Sequence, residues 1–327
     1  MKAFNPKLIE IINKSSNLLI TSHIHPDGDA AGSVLGLTRS LRAAGKTVDV
    51  AWSTSVKGRF DFLFGEENVL TPDEVKGPYD CAVILDIGSE DRTGFQEIIR
   101  ELGCPIINID HHATNKGFCK IDHVDTSASS TCQIVYYLIK EAGWPLDAHI
   151  AEAVYTGLIT DSRHFQNAGV NADTFRAAAG LKDTGVNTVP IIQSLVMNRT
   201  ETDLRVLGMA LSRYENLLDG KLALVAIRQS DLQPLGANHR HAWSSGVFGY
   251  LVSLSTSLVS ASLIEAEDGK VFCEFRSKNG FDVSVIASEF GGGGHKAASG
   301  CSQFIDIDEF KTKVIARLTE LVEAFEG

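Results

Sequence analysis

No stretch of this 327-residue sequence approaches the ~18 consecutive apolar residues that a membrane-spanning helix needs. The first residues, Met1-Lys2-Ala3-Phe4-Asn5-Pro6, have no apolar core of the secretory-signal type. Positive charge is in short supply: 30 Lys and Arg stand against 41 Asp and Glu, a formal net charge of −11. That balance excludes a broad coating of long duplex nucleic acid, which wants a basic surface. A short nucleotide in a pocket remains compatible, because bound cations can supply the missing charge. The six cysteines (Cys81, Cys104, Cys119, Cys132, Cys273, Cys301) include no Cys-x-x-Cys pair. They read as reduced thiols of a cytoplasmic protein rather than as a disulfide framework or a thiolate metal site. No internal repeat and no low-complexity tract is present.

What is there is ordinary globular material, 44% apolar and 22% charged, in a length that suits two domains. The first half alternates strand-like runs with amphipathic helices. Leu18–Thr21, Thr47–Trp52, Cys81–Asp86 and Pro105–Asp110 are the strands. Residues 30–44 and 95–102 are helices, the first with Val34, Leu37 and Leu41 on one face. This βαβ rhythm predicts an α/β fold with a mostly parallel sheet and helices on both faces. From Ser129 the pattern turns helical, over 131–140, 148–160 and 172–182. Most of 189–218 follows in the same way. We expect a first domain over 1–190, a helical linker over 191–215 and a smaller α/β domain over 216–327. Its strands would be 222–227, 260–266 and 271–275, with an Asp268-Gly269 hairpin turn.

Four segments end in metal-ligating side chains. In His23-Ile24-His25-Pro26-Asp27-Gly28-Asp29, Pro26 and Gly28 bend the chain so that His23, Asp27 and Asp29 can converge. A plain reading makes Asp29 a helix cap and Asp27 a turn residue. It accounts for either carboxylate but not for His23 beside them. Asp86 closes the buried run Val83-Ile84-Leu85. Asp110-His111-His112 closes another, and such polar groups are costly at a buried strand end unless something binds them. Adjacent imidazoles point different ways, so one suits a metal and the other substrate. Asp161 ends an apolar helix, where its charge opposes the helix dipole and invites a cation. Together His23, Asp27, Asp29, Asp86, His111 and Asp161 make a mixed imidazole–carboxylate set that suits Mn²⁺, Mg²⁺ or Zn²⁺. Six ligands fit two ions with one carboxylate shared, about 3.5–4 Å apart, the arrangement that serves phosphoryl displacement by water.

Late in the chain, Phe290-Gly291-Gly292-Gly293-Gly294-His295-Lys296 offers backbone N–H groups and positive charge to an anion. Ala297-Ala298-Ser299-Gly300 leaves room for a planar group, and Arg276-Ser277-Lys278 ends a strand upstream and can reach the same phosphate. A nucleotide-binding segment is the expectation, a flexible hinge the alternative.

These motifs resemble the DHH–DHHA1 phosphoesterase family: His23-x-x-Pro26-Asp27-x-Asp29, Asp86, Asp110-His111-His112, Thr160-Asp161 and the late Gly-Gly-Gly-Gly-His, in that order over residues 23–300. The two-domain form most resembles the bacterial nanoRNase/pAp phosphatase branch. The resemblance implies two divalent cations, manganese first, with magnesium or cobalt as alternatives. His23 and Asp27 would hold one; Asp29, His111 and Asp161 the other; Asp86 would bridge them. His112 would face substrate as stabiliser or proton donor, and Asp110 would support the triplet from behind. Gly292, Gly293, Gly294 and His295, with Arg276 and Ser277, would bind the nucleotide. Arg163, His164 and Ser130 are further candidates, the first two as phosphate contacts or selectors of substrate. The implied activity is hydrolysis of short oligoribonucleotides and of 3′-phosphoadenosine 5′-phosphate (pAp). Linear or cyclic dinucleotides are the runner-up substrates, and a non-catalytic nucleotide sensor is the remote alternative. A homodimer is a further expectation.

Overall fold

The strand Cys81–Leu85 is apolar throughout and buried along its whole length, as a strand covered on both faces must be. In the computed structural model, which describes residues 2–56, 58, 60–167 and 169–325, the chain forms two compact units, Met1–Met197 and Asn198–Gly327. The first contains β1 (Asn17–Thr21), β2 (Thr47–Ala51), β3 (Val69–Leu70), β4 (Cys81–Leu85), β5 (Ile106–Asp110) and β6 (Ile121–Val124). All pair in parallel, in the order β3-β2-β1-β4-β5-β6. Strand order reverses between β1 and β4. In such sheets the carboxyl ends beside the reversal form the natural binding crevice.

One face of the sheet packs Leu18, Ile20, Val83 and Ile107 beneath the helices Gly28–Ala43, Thr131–Ala142 and Ala148–Asp161. The other face packs Leu19, Ala82 and Ile84 with Phe95 and Ile99, which flank and occupy the helix Gln96–Glu101. The helices Gly28–Ala43 and Ala148–Asp161 meet along a seam of small residues. A Cβ at Gly28 would stand 2.3 Å from Thr160 Oγ1, one at Gly32 2.5 Å from the Ala153 carbonyl, and one at Gly36 2.4 Å from Val154 Cγ2. Side chains there would force the helices apart.

The second unit contains β7 (Glu215–Leu217), β8 (Leu222–Ile227), β9 (Val259–Glu265), β10 (Lys270–Ser277), β11 (Gly293–His295) and β12 (Ala298–Phe304), ordered β11-β12-β10-β9-β8-β7. Only β8 and β9 pair in parallel. Their crossover carries the helices His239–Ser245 and Val247–Ser253. The terminal helix Ile307–Glu323 covers the opposite face with Phe310, Val314, Leu318 and Val322. The expected hairpin turn is present, with Gly269 at φ +81°.

The expected linker 191–215 is divided between the units instead of standing apart. The helix Thr188–Val196 sinks Ile191 and Leu195 into the first core, and Glu201–Arg213 sinks Val206, Leu207 and Ala210 into the second. Each helix carries an apolar stripe that needs cover, so neither remains a free connector. Among the described residues no helix is long and apolar enough to cross a membrane.

Candidate metal centre

The carboxyl ends of β1, β4 and β5 deliver His23, Asp86 and the Asp110-His111-His112 triplet side by side. Asp27 caps the helix Gly28–Ala43, its Oδ1 accepting from the N–H groups of Asp29 (2.9 Å) and Ala30 (3.0 Å). Asp29, two residues after the cap, reaches a different helix. Its Oδ2 accepts from Thr131 N (2.6 Å) and its Oδ1 from Cys132 N (2.9 Å). The plain reading of this segment thus had the roles exchanged: Asp27 is the cap. Asp86 sits in left-handed backbone at φ +54°, a strained conformation for a non-glycine residue. Its Oδ1 accepts a 2.9 Å hydrogen bond from the Thr131 hydroxyl. Asp161 is the last residue of Ala148–Asp161.

The six expected ligands fall in two groups of donor atoms, each within 4.8 Å: His23, Asp27 and Asp86, and Asp29, His111 and Asp161. His23 Nε2 lies 3.9 Å from Asp27 Oδ1 and 3.8 Å from Asp86 Oδ2. His111 Nε2 lies 3.4 Å from Asp161 Oδ2, 3.7 Å from Asp86 Oδ1 and 3.9 Å from Asp29 Oδ2. The two oxygens of Asp86 therefore face one group each. The His23 Nδ1 is 2.7 Å from the Ile24 carbonyl. A carbonyl only accepts, so Nδ1 carries the proton and Nε2 presents its lone pair toward the carboxylates. His111 is oriented in the same way by the Ala128 carbonyl at 3.3 Å.

The electrostatics are those of a site short of positive charge. Burial, then the charges of Asp86, Asp161 and Asp27, push the Asp29 carboxyl well above its ordinary range. Asp161 rises to about 7 from burial and from Asp27 and Asp86, against the opposing pull of His111. Oxygen and imidazole donors crowded to this degree are the chemistry that hard or borderline divalent ions neutralise, so the residues fit such ions.

Asp110 is fully buried. Its Oδ1 accepts from His111 N (2.8 Å) and pairs with His112 Nδ1 (2.7 Å), and its Oδ2 accepts from Asn115 Nδ2 (2.8 Å). Burial opposes its charge, but the bonds from His112 and Asn115 hold it below the ordinary carboxylate range. Burial also opposes charge on His112, yet Asp110 and Asp86 raise it to about 9, so it stands as a cation.

Several expected residues make contacts within the fold. Ser130 is buried and caps Thr131–Ala142, its hydroxyl accepting from Gln133 N (3.0 Å). Ser277 is buried, its hydroxyl donating to the Phe281 carbonyl at 2.6 Å, with the Lys296 carbonyl 3.2 Å away. Arg276 lies against the Phe248 ring, 5.2 Å from its centroid, with Nη1 2.9 Å from Glu274. The glycine run is no hinge. Gly293–His295 forms the edge strand β11, and a Cβ at Gly292 would come 2.1 Å from the Gly300 carbonyl. Glycine is needed there for the chain's own close approach. His295 is exposed on that edge. Arg163 and His164 lie just past Asp161 in left-handed backbone. The supporting roles of Thr131 and Asn115 have no signal in the sequence, since nothing in linear spacing ties position 131 to 86 or 115 to 110.

The sequence matches two family models, the DHH family N-terminal domain over residues 17–158 and the DHHA1 domain over residues 235–323. The bifunctional oligoribonuclease and PAP phosphatase NrnA of Thermus thermophilus is 32% identical over 308 residues, covering 93% of this chain and 89% of the relative. Its namesake in Bacillus subtilis is 28% identical over 301 residues, covering 90% and 92%. Among solved structures, an exopolyphosphatase-related protein from Bacteroides fragilis superposes with a TM-score of 0.89 at 26% identity, covering 98% of this chain and 97% of that one.

Proposed function

Since this chain belongs to the metal-dependent DHH family and carries its DHHA1 domain, we propose that it is a two-cation phosphoesterase. Its substrates in this reading are short oligoribonucleotides, hydrolysed to mononucleotides, and pAp, hydrolysed to AMP and phosphate. The observation that carries the reading is Asp86, whose two oxygens stand 3.8 Å from His23 Nε2 and 3.7 Å from His111 Nε2. His23 and Asp27 are assigned to one ion, Asp29, His111 and Asp161 to the other, and Asp86 to both. Manganese is the ion we assign. Bound divalent cations supply Lewis-acid stabilisation of phosphoryl charge.

The chain's own groups do the rest. His112, held as a cation by Asp110, stabilises charge building on phosphoryl oxygen and has a proton to give the leaving oxygen as the P–O bond breaks. Asn115 fixes Asp110 by bonding to it and to the Ile87 carbonyl (2.9 Å), which keeps the imidazole aimed. In the second unit, Arg276, Gly292, Gly293, Gly294 and His295 are assigned to the nucleotide. Both similar relatives are named for oligoribonuclease and PAP phosphatase activity, which supports this choice of substrates. Six free cysteines accord with a cytoplasmic location.

The test is incubation with Mn²⁺ and, separately, a labelled RNA dinucleotide and pAp. Release of mononucleotide and of phosphate is expected. No turnover of either substrate by protein with Mn²⁺ demonstrably bound overturns the proposal.

A further inference from the structure

We propose that Cys273 and Cys301 are a peroxide-sensitive thiol pair, closing reversibly to a disulfide that shifts the glycine-rich edge of the second unit. Cys273 lies in β10 and Cys301 in β12, and the antiparallel register sets them directly opposite each other. All six cysteines are free, and among the described residues no other two occupy opposed positions of a ladder. Just past the end of this ladder the Ser277 N–H bonds to the Ala297 carbonyl (3.1 Å). Hydrogen-bonded pairs recur at every second residue, so Phe275–Ser299 and Cys273–Cys301 are pairs of that kind. Cα atoms in such pairs stand about 5.5 Å apart, within the ~4.4–6.8 Å that disulfides span.

Both side chains belong to the core beneath the terminal helix Ile307–Glu323, with Val271, Phe275 and Phe310. A free cysteine packs as a small hydrophobe, so packing alone gives no reason for two sulfurs to face each other. Cys301 is 8% exposed and Cys273 0%, so an oxidant meets Cys301 first. Burial, then the neighbouring Cys301 sulfur, push the Cys273 thiol well above its ordinary range, which makes it the poorer nucleophile toward peroxide. Hydrogen peroxide converts the Cys301 thiol to a sulfenic acid and one water. The Cys273 sulfur then displaces the sulfenic oxygen, which takes the thiol proton and leaves as a second water. The two thiols thus give up two electrons to the peroxide O–O bond, and a dithiol reductant reverses the change.

The consequence falls on the glycine run. Opposed Cβ atoms in an antiparallel pair are about 4.5–5.5 Å apart, and a disulfide wants about 3.8 Å. Closure therefore draws β12 toward β10 by on the order of 1 Å. On its far side β12 carries the glycine segment, through the pairs Gly293–Gly300, Gly294–Ser299 and His295–Ala298. Contact there leaves no slack: a Cβ on Gly292 would stand 2.6 Å from Cys301 Cβ and 2.1 Å from the Gly300 carbonyl. Gly292 is also tied to the helix Ser284–Glu289, its N–H bonding to the Ala287 carbonyl (2.8 Å). A shift at Cys301 is thus passed to Gly292, Gly293 and Gly294. Those residues are assigned above to the nucleotide, and this last link rests on the proposed phosphoesterase reading.

The experiment treats the full-length protein with hydrogen peroxide, alkylates the remaining thiols and digests with trypsin without reduction. Peptides 271–276 and 297–311 should appear as one cross-linked species, lighter than their sum by two hydrogens, and dithiothreitol should release them. Cys273→Ala should instead accumulate Cys301 as its sulfinic acid. Activity is read on an RNA dinucleotide with Mn²⁺ after the peroxide is removed. Oxidised wild-type protein should lose up to about 100-fold in kcat/KM, mainly through KM, the scale of a ~1 Å misplacement. Dithiothreitol should restore it, and Cys301→Ser should keep its activity through the treatment. Failure of folded wild-type protein to form the 273–301 bond, or its formation only in urea, overturns the proposal. A bond formed with KM unchanged overturns the link to the glycine run. Reduced wild-type protein that turns over no substrate would count against the phosphoesterase reading, and the cross-linked peptide would still decide the pair.

Discussion

Removing one hydroxyl tests the architecture of the centre. Thr131 is fully buried, and its Oγ1 at 2.9 Å is the shortest polar contact of Asp86 among the described residues. The imidazole nitrogens of His23, His111 and His112 lie farther away, at 3.7–3.8 Å. Thr131→Val keeps the shape of the side chain and both backbone bonds to Asp29, and deletes only the donor to Asp86. A hydrogen bond to a charged group is worth about 1.5–3 kcal/mol. The loss should lower Mn²⁺ affinity, and kcat/KM with it, by about 10- to 100-fold, the usual effect of losing a group that orients a metal ligand. Calorimetric titration with Mn²⁺ reads the first quantity, and pAp turnover at saturating metal separates it from the second. Thr131→Ser should recover most of both. If folded Thr131→Val protein binds Mn²⁺ and turns over pAp within twofold of wild type, the hydroxyl does not position Asp86 and the reasoning fails.

Asp86→Ala should abolish turnover and lower the Mn²⁺ stoichiometry below two; near-normal activity would remove the bridging assignment. Gly157→Ala places a Cβ 2.2 Å from Cys132 Sγ and 2.9 Å from Asp29 Oδ1. It should cost about 1–3 kcal/mol in urea unfolding and weaken metal binding, and an unaltered protein would show that the seam yields freely. His123 is buried against Phe4, and burial depresses its pKa from 6.5 to about 4. The unfolded chain therefore takes up this proton first, and stability is lost as pH falls from 6.5 through 4, by about 3 kcal/mol in all. His123→Phe should flatten that part of the stability profile in chemical denaturation; parallel profiles for the two proteins would refute the assignment.

Much of the first unit was legible because its central strands are long apolar runs, and each ends abruptly in a ligand-type side chain. Cys81–Leu85 could be little else, and Asp86 follows directly. Three other strands were less legible for a physical reason. Val69–Leu70 is two residues long, Ile121–Val124 carries Asp122 and His123, and Ala298–Phe304 is rich in small and polar residues. None of these offers the hydrophobic contrast that marks a strand. The six ligand candidates were readable from residue type at strand and helix ends. Their supports were not, because the bonds of Thr131 to Asp86 and Asn115 to Asp110 exist only once the chain has folded. The pairing of β11 with β12 was not legible in the glycine run, which has no side chains to mark a strand. The burial of Ser277 was not legible, because a hydroxyl beside an arginine looks the same in sequence whether it faces outward or inward.

The glycine seam between Gly28–Ala43 and Ala148–Asp161 has a consequence for how the centre breathes. Asp29 rides on one of these helices and Asp161 on the other, so their separation is set by backbone contact rather than by loops. Local opening that parts the two carboxylates must unseat the whole seam, which lies in the larger core. Amide hydrogens along both helices should then exchange with solvent at the rate of global unfolding. The spacing of the candidate ligands would stay constant until the unit itself melts.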